Sequence, residues 1–169
     1  MRGGFRLTDK TPSKDSKKRE IVEKYFDMIY KLALSQTKNR EYADDMVQEV
    51  FLRYLKTDKN FETEEHVKAW LIRVTVNCCK SLFTSPWFKR HETLTEDIAF
   101  NTEEKSDVYY AVAELPQKYR AVIHLFYYED LSVADISRAL NIKETTVKSQ
   151  LSRGREMLRK KLKGGYDIV

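Results

Sequence analysis

Residues 131–162 constrain the fold more than any other stretch, because they contain two apolar stripes separated by a tight turn. In the first segment, Val133, Ile136 and Leu140 recur at i, i+3 and i+7, which places them on one face of a helix. The second segment has an equivalent stripe: Val147, Leu151, Gly154 and Leu158. Asn141 lies between them, and Asn tolerates the left-handed backbone that such a corner requires. The spacing predicts a helix-turn-helix unit.

The second helix of this unit has an outward face that is polar and basic. Residues 143–163 contain eight Lys and Arg against two acids. With about 100° per residue, the side opposite the apolar stripe carries Ser149, Ser152 and Arg153, with Lys148 at its edge. A positive, groove-sized helix favours contact with DNA phosphates. The pattern therefore predicts a DNA-reading helix, and a solvated basic helix is the alternative.

The remaining sequence predicts an all-α protein. The chain of 169 residues has five Gly and three Pro, helical periodicity runs through most of it, and no alternating β-branched stretch is present. Predicted helices are 18–37, 40–57, 64–84, 106–114, 117–129, 132–140 and 144–163. We expect two small helical domains, an N-terminal three- to four-helix bundle and a C-terminal helix-turn-helix domain, joined by an extended acidic linker.

The predicted boundaries follow from breaks in this periodicity. We expect a mobile basic tail over 1–17, an N-terminal domain over 18–86, a linker over 87–106 and a C-terminal domain over 107–165. Pro86 is expected to end a helix, and acids outnumber bases in the segment after it. Trp87, Phe88 and Phe100 are unusual in a free linker, so part of this segment is expected to dock on another surface.

Several function classes are disfavoured by the sequence. It has no Gly-rich phosphate loop, nucleophile elbow or HExxH motif, so we expect no enzymatic activity, no metal and no cofactor. Cys78 and Cys79 are adjacent in a helical pattern, which is typical of small core residues. No apolar run is long enough for a membrane span or a signal peptide, so we expect a cytoplasmic protein without membrane insertion.

Helix 40–57 has a polar face with one exposed apolar residue. Its apolar stripe leaves Asp45, Gln48, Glu49 and Leu52 on the opposite side. A Leu flanked by acids and an amide is typical of a helix-binding patch. A solvated face with one exposed Leu explains the same pattern.

Helix 64–84 carries a polar stripe of Arg73, Asn77 and Lys80, which we expect opposite a core side containing Trp70. Arg suits phosphate and Asn suits a base edge. Phe61 lies in the polar segment before this helix, where an aromatic ring can stack on an unpaired base. The stripe is therefore a candidate strip for single-stranded nucleic acid.

Three blocks in this order resemble a known family. They are ADDMVQEVFLRYL at 43–55, VKAWLIRVTVN at 67–77 and the segment 114–162 with the helix-turn-helix. Together they are similar to the extracytoplasmic-function (ECF) group of bacterial sigma-70 family RNA polymerase sigma factors. The similarity covers about 140 residues, and its specificity comes from the three blocks and their spacing.

The resemblance implies promoter-specific transcription initiation with RNA polymerase core, bound through its clamp and flap, as partner. It implies that Asp45, Gln48, Glu49 and Leu52 bind the clamp. It assigns the minus-10 element to Phe61, Arg73, Asn77 and Lys80. It assigns the minus-35 element to Lys148, Ser149, Ser152 and Arg153. An anti-sigma factor is a further expected partner.

The helix-turn-helix departs from the family pattern at several positions. Asn141 stands where Gly is common, Ser137 replaces a small Ala, and Lys143 stands where an N-capping Ser is frequent. Ser152 is smaller than many residues at its position, so base preference cannot be transferred. Two alternatives remain: a helix-turn-helix regulator that binds duplex DNA without being a polymerase subunit, and a helical adaptor protein.

Overall fold

A computed structural model describes residues 13–91 and 107–164, and every regular element within these two ranges is a helix. The helices are α1 (Lys14–Thr37), α2 (Arg40–Lys56), α3 (Glu64–Thr84), α4 (Pro86–His91), α5 (Asp107–Ala113), α6 (Gln117–Tyr127), α7 (Val133–Leu140) and α8 (Glu144–Gly164). The all-α prediction is confirmed. Within the same ranges, no helix is long and apolar enough to cross a membrane.

The N-terminal group packs α1, α2 and α3 around one another. Side-chain caps define where these helices start: Ser13, Asn39 and Thr63 each accept a hydrogen bond from a backbone N–H in the first turn of the helix that follows. The core of the group consists of fully buried residues such as Ile29 and Leu71. α1 begins at Lys14, so the predicted tail over 1–17 is wrong in its last four residues. The rest of that tail, 1–12, lies outside the described residues.

Pro86 opens a helix as well as following one. Ser85 ends α3, and its hydroxyl accepts a hydrogen bond from the N–H of Phe88 at 3.2 Å, while Pro is well tolerated in a first helical turn. The Phe88 ring packs edge-on against Phe83 and Tyr42. The expectation that part of this segment docks on another surface is confirmed, and the predicted linker is wrong over 87–91. Its remainder, 92–106, lies outside the described residues.

The C-terminal group packs α5, α6 and α7 with α8, and it contacts the N-terminal group directly. α3 packs against α7, and α1 packs against α6. The buried apolar side chains of the two groups form one continuous cluster, which includes Leu32 and Leu71 from the first group and Leu125 and Ile136 from the second. In this structure the two helical groups are therefore closed against each other.

Candidate nucleic-acid and protein interfaces

The helix-turn-helix corner is built as the sequence predicts. Asn141 adopts the left-handed conformation, with φ 55° and ψ 47°. Ser137 contributes a bond that the usual Ala could not make, because its hydroxyl donates to the carbonyl of Ile142 at 2.6 Å. Ser132 and Asp135 form a capping box that starts α7. These bonds fix the direction in which α8 leaves the turn.

The outward face of α8 is open to solvent. Val147, Leu151 and Gly154 are buried on the inner side. The four residues expected to contact the minus-35 element are all exposed: Lys148, Ser149, Ser152 and Arg153. The structure therefore brings these four side chains together on one polar surface.

Gly154 sets how closely α8 crosses α6. A Cβ atom added at this position would lie 3.0 Å from Cγ1 and 3.3 Å from Cδ1 of Ile123, and 3.6 Å from Cβ of Tyr119. Ile123 is itself buried, so it has little room to move. The small residue allows the recognition helix to sit directly on α6, which holds its outward face at a defined angle.

Four cations of α8 have partners within the C-terminal group, and one of them, Lys161, pairs with Glu114. The Arg153 guanidinium beside the Tyr119 hydroxyl lowers the pKa of that phenol. Arg155 donates to the Tyr127 hydroxyl at 2.7 Å. Lys160 pairs with Glu156 at 3.1 Å, which also lowers the pKa of Glu156. Arg153 is therefore oriented by its contact with Tyr119, whereas the charge of Lys160 is partly compensated by Glu156.

The candidate clamp-binding face lies on α2. Asp45, Gln48 and Leu52 are exposed, and the Leu52 side chain is 49% accessible. Glu49 is half-buried and forms an ion pair with Arg53 one turn further along, at 2.6 Å. Leu55 is a further exposed apolar residue on the same helix. The face thus presents an apolar centre with polar and charged neighbours.

The candidate minus-10 strip on α3 is only partly free. Asn77 and Lys80 are exposed. Arg73 points to the other helical group instead, where Nε donates to the carbonyl of Ala139 at 2.9 Å and Nη2 donates to that of Arg138 at 2.6 Å. These carbonyls close the C-terminal end of α7, which carries a partial negative charge. Sequence reasoning missed this contact, since nothing local predicts it.

Trp70 and Phe61 differ from expectation. The prediction that Trp70 lies opposite the polar stripe is wrong: positions i and i+7 are only about 20° apart on a helix, so Trp70 shares its face with Asn77, and it is half-buried. The Phe61 ring is also half-buried and packs against Trp70 and Tyr54, with centroid separations of 5.8 and 6.2 Å. An aromatic cluster therefore borders the strip, whereas a free loop side chain was expected.

A second arginine joins the two groups through backbone carbonyls. Arg120 on α6 is 5% exposed. It donates to the carbonyls of Ala113 and Leu115 at 2.8 Å each and to that of Gln36, near the end of α1, at 3.0 Å. Burial lowers its pKa to about 10. Both interdomain arginine contacts thus use the carbonyl ends of helices as acceptors.

The described residues offer no grouping of His, Cys, Asp and Glu that could hold a metal ion. Cys78 and Cys79 are buried and free, and burial raises the pKa of Cys79 to about 12. A thiol in this state is poorly nucleophilic. The prediction that the cysteines are core residues is confirmed.

Comparison with known proteins accounts for both helical groups. Residues 21–88 match the family described as Sigma-70 region 2, and residues 105–158 match Sigma-70, region 4. The chain is 30% identical over 164 residues to the ECF RNA polymerase sigma factor SigW of Bacillus subtilis (strain 168), covering 85% of this chain and 88% of that protein.

Two solved structures share the fold. One is the sigma factor RpoE in complex with the anti-sigma factor NepR from Bartonella quintana, with a TM-score of 0.63, 22% identity, and coverage of 86% of this chain and 96% of that chain. The other is CnrH in complex with the cytosolic domain of CnrY, with a TM-score of 0.68, 20% identity, and coverage of 90% and 91%. The chain belongs to the ECF group of RNA polymerase sigma factors.

Proposed function

We propose that this sigma factor binds RNA polymerase core through α2 and reads promoter DNA through α3 and α8, without catalytic activity of its own. The observation that carries the proposal is the presence of three separate exposed polar faces on one chain. A regulator that only binds duplex DNA needs the α8 face alone. The apolar Leu52 in the charged face of α2 and the Asn77/Lys80 surface of α3 would then have no use.

The polymerase clamp is proposed to dock on the face of α2 that contains Asp45, Gln48, Glu49 and Leu52. Exposed apolar residues surrounded by polar groups are typical of protein-binding helices. The polymerase flap is proposed to bind the C-terminal group, at an open groove of about 780 Å³ between α5, α6 and α8. Val108, Tyr127 and Leu158 line its apolar part, and Arg159 and Lys163 lie at its border.

The minus-35 element is proposed to meet Lys148, Ser149, Ser152 and Arg153 in the major groove. The minus-10 element is proposed to meet Asn77, Lys80 and, after opening of the two helical groups, Arg73. While Arg73 is bonded to the end of α7, its Nε and one Nη2 proton are directed at the C-terminal group, and only its remaining N–H donors are available to a phosphate or a base. We propose that full use of Arg73 on the promoter requires the α3–α7 contact to break.

The partner set and location follow from the family. An anti-sigma factor is proposed as a regulatory partner, because one structural relative is the sigma factor RpoE bound to the anti-sigma factor NepR. The cytoplasm is the proposed location, since both polymerase and promoter are there.

In vitro transcription with purified polymerase core over genomic fragments tests this function. We expect defined transcripts only when both the chain and core are present, and the Leu52→Ala variant should lower their yield. DNA binding by the chain that neither requires core nor changes when core is added would favour the duplex-binding regulator. Absence of both core binding and DNA binding would favour a helical adaptor.

A further inference from the structure

A cavity of about 500 Å³ lies on the seam between the two helical groups. α1 contributes one wall, through residues such as Met28 and Leu34, while α5 and α6 contribute the other, through residues such as Val112 and His124. Its volume falls in the range of about 300–1,000 Å³ that small-molecule pockets have. Because its walls come from both groups, the cavity exists only in the closed arrangement.

Some of the lysines around this cavity have ion-pair partners, and one does not. Lys24 pairs with Glu64, and Lys31 pairs with Asp27. Lys38, which also lines the cavity, is half-buried and takes part in none of the ion pairs found among the described residues. The negative charge of Glu114 raises the pKa of Lys38, but Glu114 is itself paired with Lys161 at 2.5 Å.

Arg120 adds a second cation beside Lys38. Its guanidinium is buried and is bonded to backbone carbonyls, with no carboxylate as a partner. Burial, together with the positive charge of Arg120, lowers the pKa of Lys38. Burial therefore makes the charged form of Lys38 less favourable than in a solvated lysine, and an anion placed beside it would offset this cost.

We propose that the seam cavity is a binding site for an amphiphilic organic anion, such as a medium-chain carboxylate, with its charge at Lys38 and its chain along the apolar wall. Met28, Leu34 and Val112 give the cavity an apolar wall that suits a flexible chain. Two carboxylates also line it: Asp27 is paired with Lys31, and Glu129 lies 3.4 Å from Nε2 of His124. One face of the Tyr128 ring is already stacked on His124, with a centroid separation of 5.3 Å. A ligand held by both walls stabilises the closed arrangement, because it binds that state alone.

Titration calorimetry of the purified chain with sodium octanoate, sodium decanoate and 1-decanol, below their micelle concentrations, tests the proposal. We expect one decanoate per chain, and a gain in affinity of about threefold to fourfold for each added methylene, from about 0.8 kcal/mol per buried CH₂. Decanol should bind at least tenfold more weakly. Decanol binding as tight as that of decanoate, or binding of several decanoates per chain, would contradict the proposal.

Lys38→Gln and Lys31→Gln form a matched pair, since both residues line the cavity and only Lys31 has an ion-pair partner. Lys38→Gln should weaken decanoate binding at least fivefold while keeping or raising the thermal stability, whereas Lys31→Gln should change binding less than twofold. Equal effects of the two substitutions would contradict the proposal.

Two further arms locate the site. Arg73→Gln does not touch the cavity but removes an interdomain contact, so it should also weaken decanoate binding.

If vesicles containing anionic phospholipid bind the chain in a Lys38-dependent way while monomeric decanoate does not, the surface is a membrane contact and the cavity proposal is wrong. The measurements use no polymerase, so their failure leaves the proposed function untouched.

Discussion

Arg73 on α3 donates to the carbonyl oxygen of Ala139 on α7 at 2.9 Å, which ties the proposed minus-10 surface to the first helix of the helix-turn-helix unit. The same guanidinium also reaches the carbonyl of Arg138. A hydrogen bond from a charged donor contributes about 1.5–3 kcal/mol when well shielded, and less where solvent competes. The same side chain thus holds the closed arrangement and belongs to the proposed DNA surface, and we propose that the α3–α7 contact opens before Arg73 is fully used on DNA.

Arg73→Gln should therefore open the chain. We expect a larger radius of gyration in small-angle scattering and a longer distance between fluorescent labels at exposed positions 56 and 160. Lys80→Gln is the matched control, because Lys80 is exposed further along the same helix. It should lower minus-10 DNA affinity without changing the scattering. Identical scattering for Arg73→Gln and wild type would show that the contact does not hold the closed state.

The α2 face can be tested with Leu52→Ala combined with Gln48→Ala. Both side chains are exposed, so helicity should be unchanged, while affinity for polymerase core should fall by about tenfold to thirtyfold, or about 1.4–2 kcal/mol. Leu55→Ala is the control, since Leu55 is similarly exposed but lies about 60° around the helix from Leu52. Undiminished co-purification of the double variant with core would exclude this face.

Two substitutions on α8 distinguish base contacts from phosphate contacts. Arg153→Ala should cost about 1–3 kcal/mol and relax preference at one or two minus-35 base pairs. Lys160→Ala should lower affinity evenly across sequences, with a salt slope reduced by less than one contact, because Glu156 already compensates this charge. Holoenzyme binding to promoter variants at several salt concentrations measures both. The reverse pattern would mean that the DNA-facing side of α8 is wrongly assigned.

Gly154→Ala should destabilise the C-terminal group although Ala is the better helix former. The gain in helix propensity is about 1 kcal/mol, whereas overpacking costs about 1–3 kcal/mol, and the new methyl would press on the buried Ile123. We expect a lower free energy of unfolding in urea. Ser152→Ala, at an exposed position of the same helix, should not lower it. Equal stability of Gly154→Ala and wild type would show that Ile123 or α6 can shift to accommodate the added methyl group.

The capping box of α7 predicts a pH dependence. Hydrogen bonds from Ser132, followed by the charge of Arg138, lower the pKa of Asp135. A carboxyl whose folded-state pKa is depressed stabilises the fold above its unfolded pKa of about 3.9 and loses this effect as pH falls through the folded value. Asp135→Asn should therefore cost about 0.5–1 kcal/mol at pH 7, and less below pH 4. Urea unfolding of both proteins at pH 7 and below pH 4 measures the cost of the substitution. A cost that does not change with pH would contradict this prediction.

Local sequence signals predicted the helices and their buried faces well. The stripe through Val147, Leu151 and Gly154 and the left-handed Asn141 follow from spacing and residue type alone. Helix starts were less predictable, because a Ser before a Pro, as at Ser85, fits both the end of one helix and the start of the next. The prediction for Trp70 was wrong because residues at i and i+7 share a helix face, so Trp70 lies on the side of α3 that carries Asn77.

The contact between the two helical groups could not be predicted from the sequence. Arg73 and Ala139 are 66 residues apart, and neither residue type indicates the other as a partner. Every residue has a backbone carbonyl, so the residue type at an acceptor position does not indicate that an arginine will bind there. For the same reason, Arg120 gave no signal of its bond to Gln36.

The use of carbonyl acceptors makes these contacts unusual in how they tolerate mutation. Any residue at positions 36, 138 or 139 that preserves the helix end still presents the same oxygen, so substitutions there leave the acceptor in place. Substitution of the arginine, in contrast, removes each contact directly. Among relatives that keep these arginine contacts, covariation between the arginine and its acceptor positions should therefore be weak.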